Sequence, residues 1–199
     1  MGWRLSAPNH RSLVNSDTRP YDDVPSAIAQ ENEATMSPEA NKDLFRKTWS
    51  RFPTGVSVIT FYEADGHTVH GLTANAVLSL SLEPFLVVVS VDHKVRSFPL
   101  MSKSDRFVMN LLTESQEPEL RYFARNDTSG QPPFKFRKSG RGYPILEGSF
   151  AYLDCQVHAK YPGGDHTIFL GKVDEMDLYE GKPVVWYMGK LTSVVPPQM

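Results

Sequence analysis

A chain of 199 residues, 40% of them hydrophobic, has material for one substantial core and too little for two ordinary enzyme domains. Its formal net charge of −2 offers no long-range attraction to phosphate backbones, so no nucleic-acid partner is expected. The single cysteine, Cys155, excludes an internal disulfide, no Cys/His cluster has zinc-like spacing, and no run approaches the roughly 18 apolar residues of a membrane span.

Residues 1–36 mix Pro8, Pro20 and Pro25 with Asn, Ser, Asp and Glu and show no apolar period. They are expected to form a flexible N-terminal extension, with one domain over 37–199. They also lack the apolar stretch of about 7–15 residues of a secretory signal, which points to a soluble cytoplasmic protein. Met36 opens the ordered part so cleanly that it is a candidate for the true start.

Ser37 as cap and Pro38 at the first helical position announce a helix. Leu44, Phe45, Thr48, Trp49 and Phe52 share one of its faces at spacings of three and four and are expected to face the core; Pro53 and Gly55 stop it. Residues 56–62 are β-branched and aromatic, and Asp65-Gly66 supplies a hairpin turn before Val69. Over 71–81, Thr73, Asn75, Ser79 and Ser81 fall on one face of an extended strand, with Leu72, Ala74, Ala76, Leu78 and Leu80 on the other. Such a mixed wall suits a planar cofactor, and equally a half-buried strand with a solvated face.

The apolar run 85–91, bounded by Pro84 and Asp92, predicts a strand buried on both faces, and 107–112 repeats the pattern. Between them Ser97 to Met101 suits a short helical turn. Ser90, Lys94, Arg96 and Ser97 there combine hydroxyls, cations and helix-start N–H groups, either a phosphate site or an ordinary solvated turn. Ser115 is placed to cap a helix through Leu120, Tyr122 and Phe123. Residues 125–142 are polar, with five Lys or Arg, and read as a long mobile loop of the kind that forms lids. Its Lys135, Arg137, Lys138 and Arg141 are either solvated charges or partners for a nucleotide 2′-phosphate.

Three strands follow, at about 146–160, 167–179 and 183–188, with turns at Pro162-Gly163-Gly164 and Glu180-Gly181-Lys182. Cys155, in an alternating stretch between Leu153 and Val157, reads as a small buried side chain more readily than as a reactive thiol. Successive β-runs with few short helices argue for a mainly β, closed or nearly closed antiparallel barrel. Neither an internal repeat nor a Gly-x-Gly-x-x-Gly or Walker loop occurs. The remaining sharp feature is Gly163-Gly164-Asp165-His166: His166 is either a turn-capping side chain or an imidazole set beside a ligand. His67, His70, His93 and His158 read as structural or surface residues.

Taken together, 45–56, Gly71-Leu72-Thr73-Ala74-Asn75, Ser79 through Pro84, 107–112 and Gly164-Asp165-His166 through Gly171 resemble, in order, the short-chain flavin reductases. These are reductase components of two-component flavin monooxygenases, and the likeness runs over residues 42 to about 193. The resemblance implies an antiparallel Greek-key split β-barrel binding FMN or FAD, usually as a homodimer with the flavin near the subunit interface. By it, Thr73, Ala74 and Asn75 line the isoalloxazine, Ser90, Lys94, Arg96 and Ser97 hold the phosphate, and His166, beside Gly164 and Asp165, sits where nicotinamide meets flavin. The implied reaction is hydride transfer from NADH or NADPH to the flavin, for delivery to a partner monooxygenase. A flavin-binding storage or sensor protein and a flavin-retaining oxidase or oxygenase are the alternatives. Two positions depart from the pattern: Ala76 stands where serine is common, and Pro84-Phe85 where Pro-Pro is usual.

Overall fold

The structure, a computed structural model, describes residues 37–125 and 130–194; the expected extension 1–36 lies outside the described residues. Two units are distinguished, residues 1–41 and 42–199. In the first, the capping expectation holds: Ser37 Oγ accepts the Ala40 N–H at 3.2 Å, and the Ser37 carbonyl accepts that of Asn41 at 3.0 Å.

Helix α1 spans Pro38–Trp49 and is followed by β1 (Thr54–Gly55), β2 (Ser57–Tyr62), β3 (Val69–Ala74), β4 (Val77–Leu82) and β5 (Phe85–Asp92). Then come α2 (Phe98–Met101), β6 (Arg106–Leu111), α3 (Glu117–Phe123), β7 (Phe136–Lys138), β8 (Pro144–Leu146), β9 (Ala151–Gly163), β10 (His166–Leu178), β11 (Val184–Tyr187) and β12 (Lys190–Ser193). Seven strands form one sheet in the order β3-β2-β6-β9-β10-β5-β4, every neighbouring pair antiparallel. Ile59 of β2, Leu72 of β3, Val89 of β5, Phe107 of β6, Cys155 of β9 and Phe169 of β10 share one buried cluster. A flat sheet would hold β3 and β5 five strands apart; here they touch, so the sheet has curled around its inner face into the expected barrel. A second cluster lies on the other face of β2, where Val56 and Val58 meet Leu120 and Phe123 of α3, Leu146 of β8 and Val184 of β11.

The aromatic stripe of α1 does not enter this core. Phe45 is 70% and Trp49 60% exposed, with Leu44 and Phe52 also outside. The strands' inner side chains already fill the interior, and no residue of α1 belongs to it. Strand β5 is not buried on both faces either: Val87, Val89 and Val91 are buried, whereas Leu86, Val88 and Ser90 are only half-buried. Its nearly continuous apolar composition hid an ordinary alternation. Residues 71–81 form no single strand, because the chain breaks at Asn75-Ala76 and passes from β3 at one edge of the sheet to β4 at the other. The loop expected over 125–142 is largely tied down outside 126–129. Phe134 and Phe136 pack on the second core, β7 pairs with β8, and buried Ser139 donates to Asp154. The α3 cap falls on Gln116 rather than Ser115, whose hydroxyl bonds Thr113 instead. The strand expected from 146 divides into β8 and β9, with Gly148 at φ +87° between them.

Gly171, buried in β10, is a position where only glycine fits. A Cβ there would lie 2.6 Å from Phe107 Cζ and 3.0 Å from Cys155 Cβ. Gly171→Ala is expected to lower unfolding stability by about 1–3 kcal/mol, read from urea denaturation, with part of the loss restored by a smaller side chain at 107. No helix among the described residues is long and apolar enough to cross a membrane.

Candidate active site

The C-terminal end of β5 gathers the candidate residues. The Ser90 N–H donates to the Ala76 carbonyl at 2.9 Å on one side, and Ser90 stands opposite Ile168 of β10 on the other. Two residues further, Asp92 stands opposite His166, and the His93 N–H donates to the Asp165 carbonyl at 3.0 Å. Segments 75–77, 90–94 and 163–168 therefore meet at one corner, although they are far apart in the chain.

The corner is shaped by a two-residue hairpin turn between β9 and β10. Gly164 adopts φ +67°, and among the described residues only Met188 is a non-glycine with positive φ, so Asp165 is ordinary. Positive φ at the first turn position alone is the type II′ pattern, which matches the strand twist and favours Gly there. The turn sets His166 Nδ1 2.7 Å from Asp165 Oδ1. The hydrogen bond from His166 holds the Asp165 carboxyl below its ordinary range, with the nearby Lys94 charge adding to the effect. A carboxylate that takes its proton-sharing contact at Nδ1 leaves Nε2 of the half-exposed ring for a ligand.

Lys94 and Arg96 are exposed on the segment that follows β5, where the Lys94 N–H donates to Asp92 Oδ1 at 2.8 Å. Ser97 differs from the expectation. It is buried, its Oγ lies 3.0 Å from His70 Nε2 and 3.1 Å from the Gly71 carbonyl oxygen, so it faces inward. With α2 only one turn long, little helix-end dipole remains, and the anion case rests on the two cations.

Thr73 and Asn75 face a neighbouring cavity of about 290 Å³, lined also by Val56, Leu120, Ala124 and Trp186. Thr73 Oγ1 donates to the Leu120 carbonyl at 2.7 Å and Asn75 Nδ2 to Thr54 Oγ1 at 3.3 Å. The volume is near the lower limit of ordinary ligand pockets, enough for a ring system and not for a whole dinucleotide. Ala74 belongs to the core cluster, its carbonyl accepts the Ser57 hydroxyl, and it does not line the cavity. Ser79 and Ser81 lie further along β4, opposite Val87 and Leu86, so Ser79 is about 10 Å along the strand from Ser90 and Ser81 is the more distant of the two from the His166 turn.

Three neighbours carried no signal in the sequence as site residues. His93 Nε2 lies 3.0 Å from Thr167 Oγ1 and its ring packs at a tilt against Phe98 with centroids 4.6 Å apart, bracing the corner. Trp186 lines the cavity and Thr54 accepts a hydrogen bond from Asn75, and the two stand together because β1 pairs with β11, a contact spanning most of the chain. Cys155 is fully buried, and burial pushes its thiol far above the ordinary range, as the plain reading expected. Among the described residues no group of His, Cys, Asp and Glu is arranged to hold a metal.

The family model for a flavin reductase like domain matches residues 49–194. The chain belongs to the flavin reductase-like family. An NADH-dependent flavin reductase of a Rhodococcus species is 35% identical over 166 residues, covering 82% of this chain and 93% of that protein. The reductase component of a Thermus thermophilus 4-hydroxyphenylacetate 3-monooxygenase is 36% identical over 157 residues, covering 78% and 99%. Among solved structures, a Streptomyces globisporus NADH:FAD oxidoreductase, SgcE6, in complex with NAD and FAD fragments superposes with a TM-score of 0.73 at 29% identity, covering 82% of this chain and 98% of that one. For a flavin reductase-like chain the residues present fit a flavin. The cavity is lined by polar Thr73 and Asn75 together with apolar Val56, Leu120, Ala124 and Trp186, and two cations stand just beyond the end of β5.

Proposed function

We propose that this chain is a flavin reductase that passes hydride from NADH to FMN or FAD and supplies the reduced flavin to a separate monooxygenase. The observation that carries this reading is the junction at β5. The Ser90 backbone ties the 75–77 crossing to β4 on one side, and β5 aligns the Gly164-Asp165-His166 turn on the other. When bound, the flavin supplies the ring nitrogen that accepts hydride. The protein's own residues do the rest. Thr73, Asn75 and Trp186 bound the space for the ring and exclude water from its apolar side. Lys94 and Arg96 hold the phosphate. Asp165 keeps the His166 proton on Nδ1 and orients the ring, so that Nε2 faces the nicotinamide and the developing charge.

NADH is the favoured donor because relatives named for their donor, at 35% and 32% identity, are NADH-dependent; of the loop cations, Arg137 is engaged by Tyr179 OH at 2.6 Å and by the Tyr152 ring at 4.7 Å. A homodimer suits the exposed Leu44, Phe45, Trp49 and Phe52, and a cytoplasmic location suits an enzyme drawing on a nicotinamide pool. Purified protein mixed with NADH and FMN should show flavin-dependent loss of the nicotinamide absorbance. No turnover would instead favour a storage or sensor protein, and turnover that needs a further organic substrate would favour an oxygenase. His166→Ala is expected to lower kcat/KM for NADH about tenfold, or about 1.4 kcal/mol, and unchanged kinetics would remove His166 from the site.

A further inference from the structure

We propose, resting on the flavin reading above, that His70 is a positioning residue for the anion corner: through Ser97 it anchors the segment bearing Lys94 and Arg96, and it takes up a proton when the flavin phosphate binds. Three contacts define the device. His70 Nδ1 lies 3.1 Å from Glu63 Oε1, His70 Nε2 lies 3.0 Å from Ser97 Oγ, and Ser97 Oγ lies 3.1 Å from the Gly71 carbonyl. His70 and Ser97 are both buried, and the Phe61 ring packs against the imidazole at 5.5 Å. Thus the chain that leaves β5 is pinned to β3 immediately after Arg96.

Proton counting shows what this arrangement does. The Glu63 carboxylate requires a proton on Nδ1, and a carbonyl only accepts. When His70 is neutral, Nε2 is an acceptor, and the single Ser97 proton turns to it and away from Gly71. When His70 is protonated, Nε2–H donates to Ser97 Oγ, and the hydroxyl proton satisfies the Gly71 carbonyl. All three contacts are made at once only in the charged form.

The charged groups acting on His70 are Glu63, from the turn after β2, and Arg96, from the segment before α2. Burial is the largest influence and lowers the imidazole pKa; the Glu63 hydrogen bond and charge oppose it, and Arg96 adds to the lowering. The free protein therefore holds His70 neutral near pH 7. An anion placed against Arg96 cancels that repulsion and adds attraction, so binding and protonation favour each other. The sign follows: phosphate affinity gains from His70 as pH falls through the acid side of neutrality and loses that gain as pH rises.

The test compares wild type with His70→Gln, which keeps a hydrogen-bonding end toward Ser97 and cannot be charged. Dissociation constants for FMN and for riboflavin, which lacks the phosphate, are measured by flavin fluorescence from pH 5.5 to 8.5. The ratio of variant to wild-type constants cancels the titration of the FMN phosphate itself. For FMN it should rise from near one at pH 8.5 to about five- to tenfold at pH 5.5, and for riboflavin it should stay flat. A ratio independent of pH, or an equal rise for riboflavin, overturns the proposal. A wild type that binds neither flavin overturns the reductase reading instead. The proton uptake is then still decided by the NMR titration of His70 in wild type with sulfate or with chloride at matched ionic strength. A midpoint that moves to higher pH with sulfate supports the proposal, and one that does not move overturns it.

Discussion

Replacing Arg106 with methionine is expected to lower the unfolding free energy by about 3–5 kcal/mol, measured as a fall in the urea midpoint at unchanged slope. Arg106 Nη2 lies 2.8 Å from Asp154 Oδ1 and Nη1 lies 2.8 Å from Asp174 Oδ2, so one guanidinium holds two strands through two carboxylates. Asp154 is fully buried, and its other oxygen accepts the Ser139 hydroxyl. Burial works against the charged guanidinium, yet the two carboxylates outweigh it and hold its pKa above the ordinary arginine value. Methionine fills much of the same volume and leaves Asp154 charged, buried and short of its cation. The cost is that of the orphaned carboxylate, so Arg106→Met combined with Asp154→Leu should recover a large part of it. A double variant no more stable than Arg106→Met alone would show that shape, not charge, is what the site requires.

The second large effect is on binding. The double variant Lys94→Ala, Arg96→Ala is expected to weaken FMN about 100-fold at low salt while leaving riboflavin within about twofold. Hydrogen bonds to charged groups contribute about 1.5–3 kcal/mol each, and both side chains are exposed, so the lower end applies to each. The loss should shrink as salt is raised, because screened surface cations contribute less. Flavin fluorescence titration reads both ligands in the same cell. Equal losses for FMN and riboflavin would place the cations somewhere other than at the phosphate and would move the anion corner away from β5.

Local signals carried much of the fold. The Ser37-Pro38 cap, the Asp65-Gly66 turn and the alternating runs from 56 onward each act within a few residues, and the structure places strands where those patterns stand, whereas the turn expected at Pro162-Gly163-Gly164 falls on Gly164-Asp165 because Pro162 and Gly163 still pair in β9. The candidate site was legible by the same means only in part. Gly164, Asp165 and His166 announce themselves because a hairpin turn needs glycine at positive φ; Lys94 and Arg96 do so because charges follow a strand's end. Ser79 and Ser81 share a local period with Thr73 and Asn75, yet the break at Asn75-Ala76 carries them to the opposite edge of the sheet. Ser97 looked like a phosphate ligand by its place before a helical turn. Its buried partners, His70 and Gly71, lie 27 and 26 residues away.

What the amino-acid sequence determined by itself was the kind of element at each place: period, caps and turn chemistry are set by neighbours within one or two turns of chain. Which strands lie side by side, and so which side chains share a cavity, only the tertiary structure decided. Thr54 meets Trp186, Asp92 meets His166, and the α1 aromatics stay outside a barrel filled by strands. Those outcomes depend on closing one sheet around one core, an energy shared by residues across the whole chain, which no window of sequence contains.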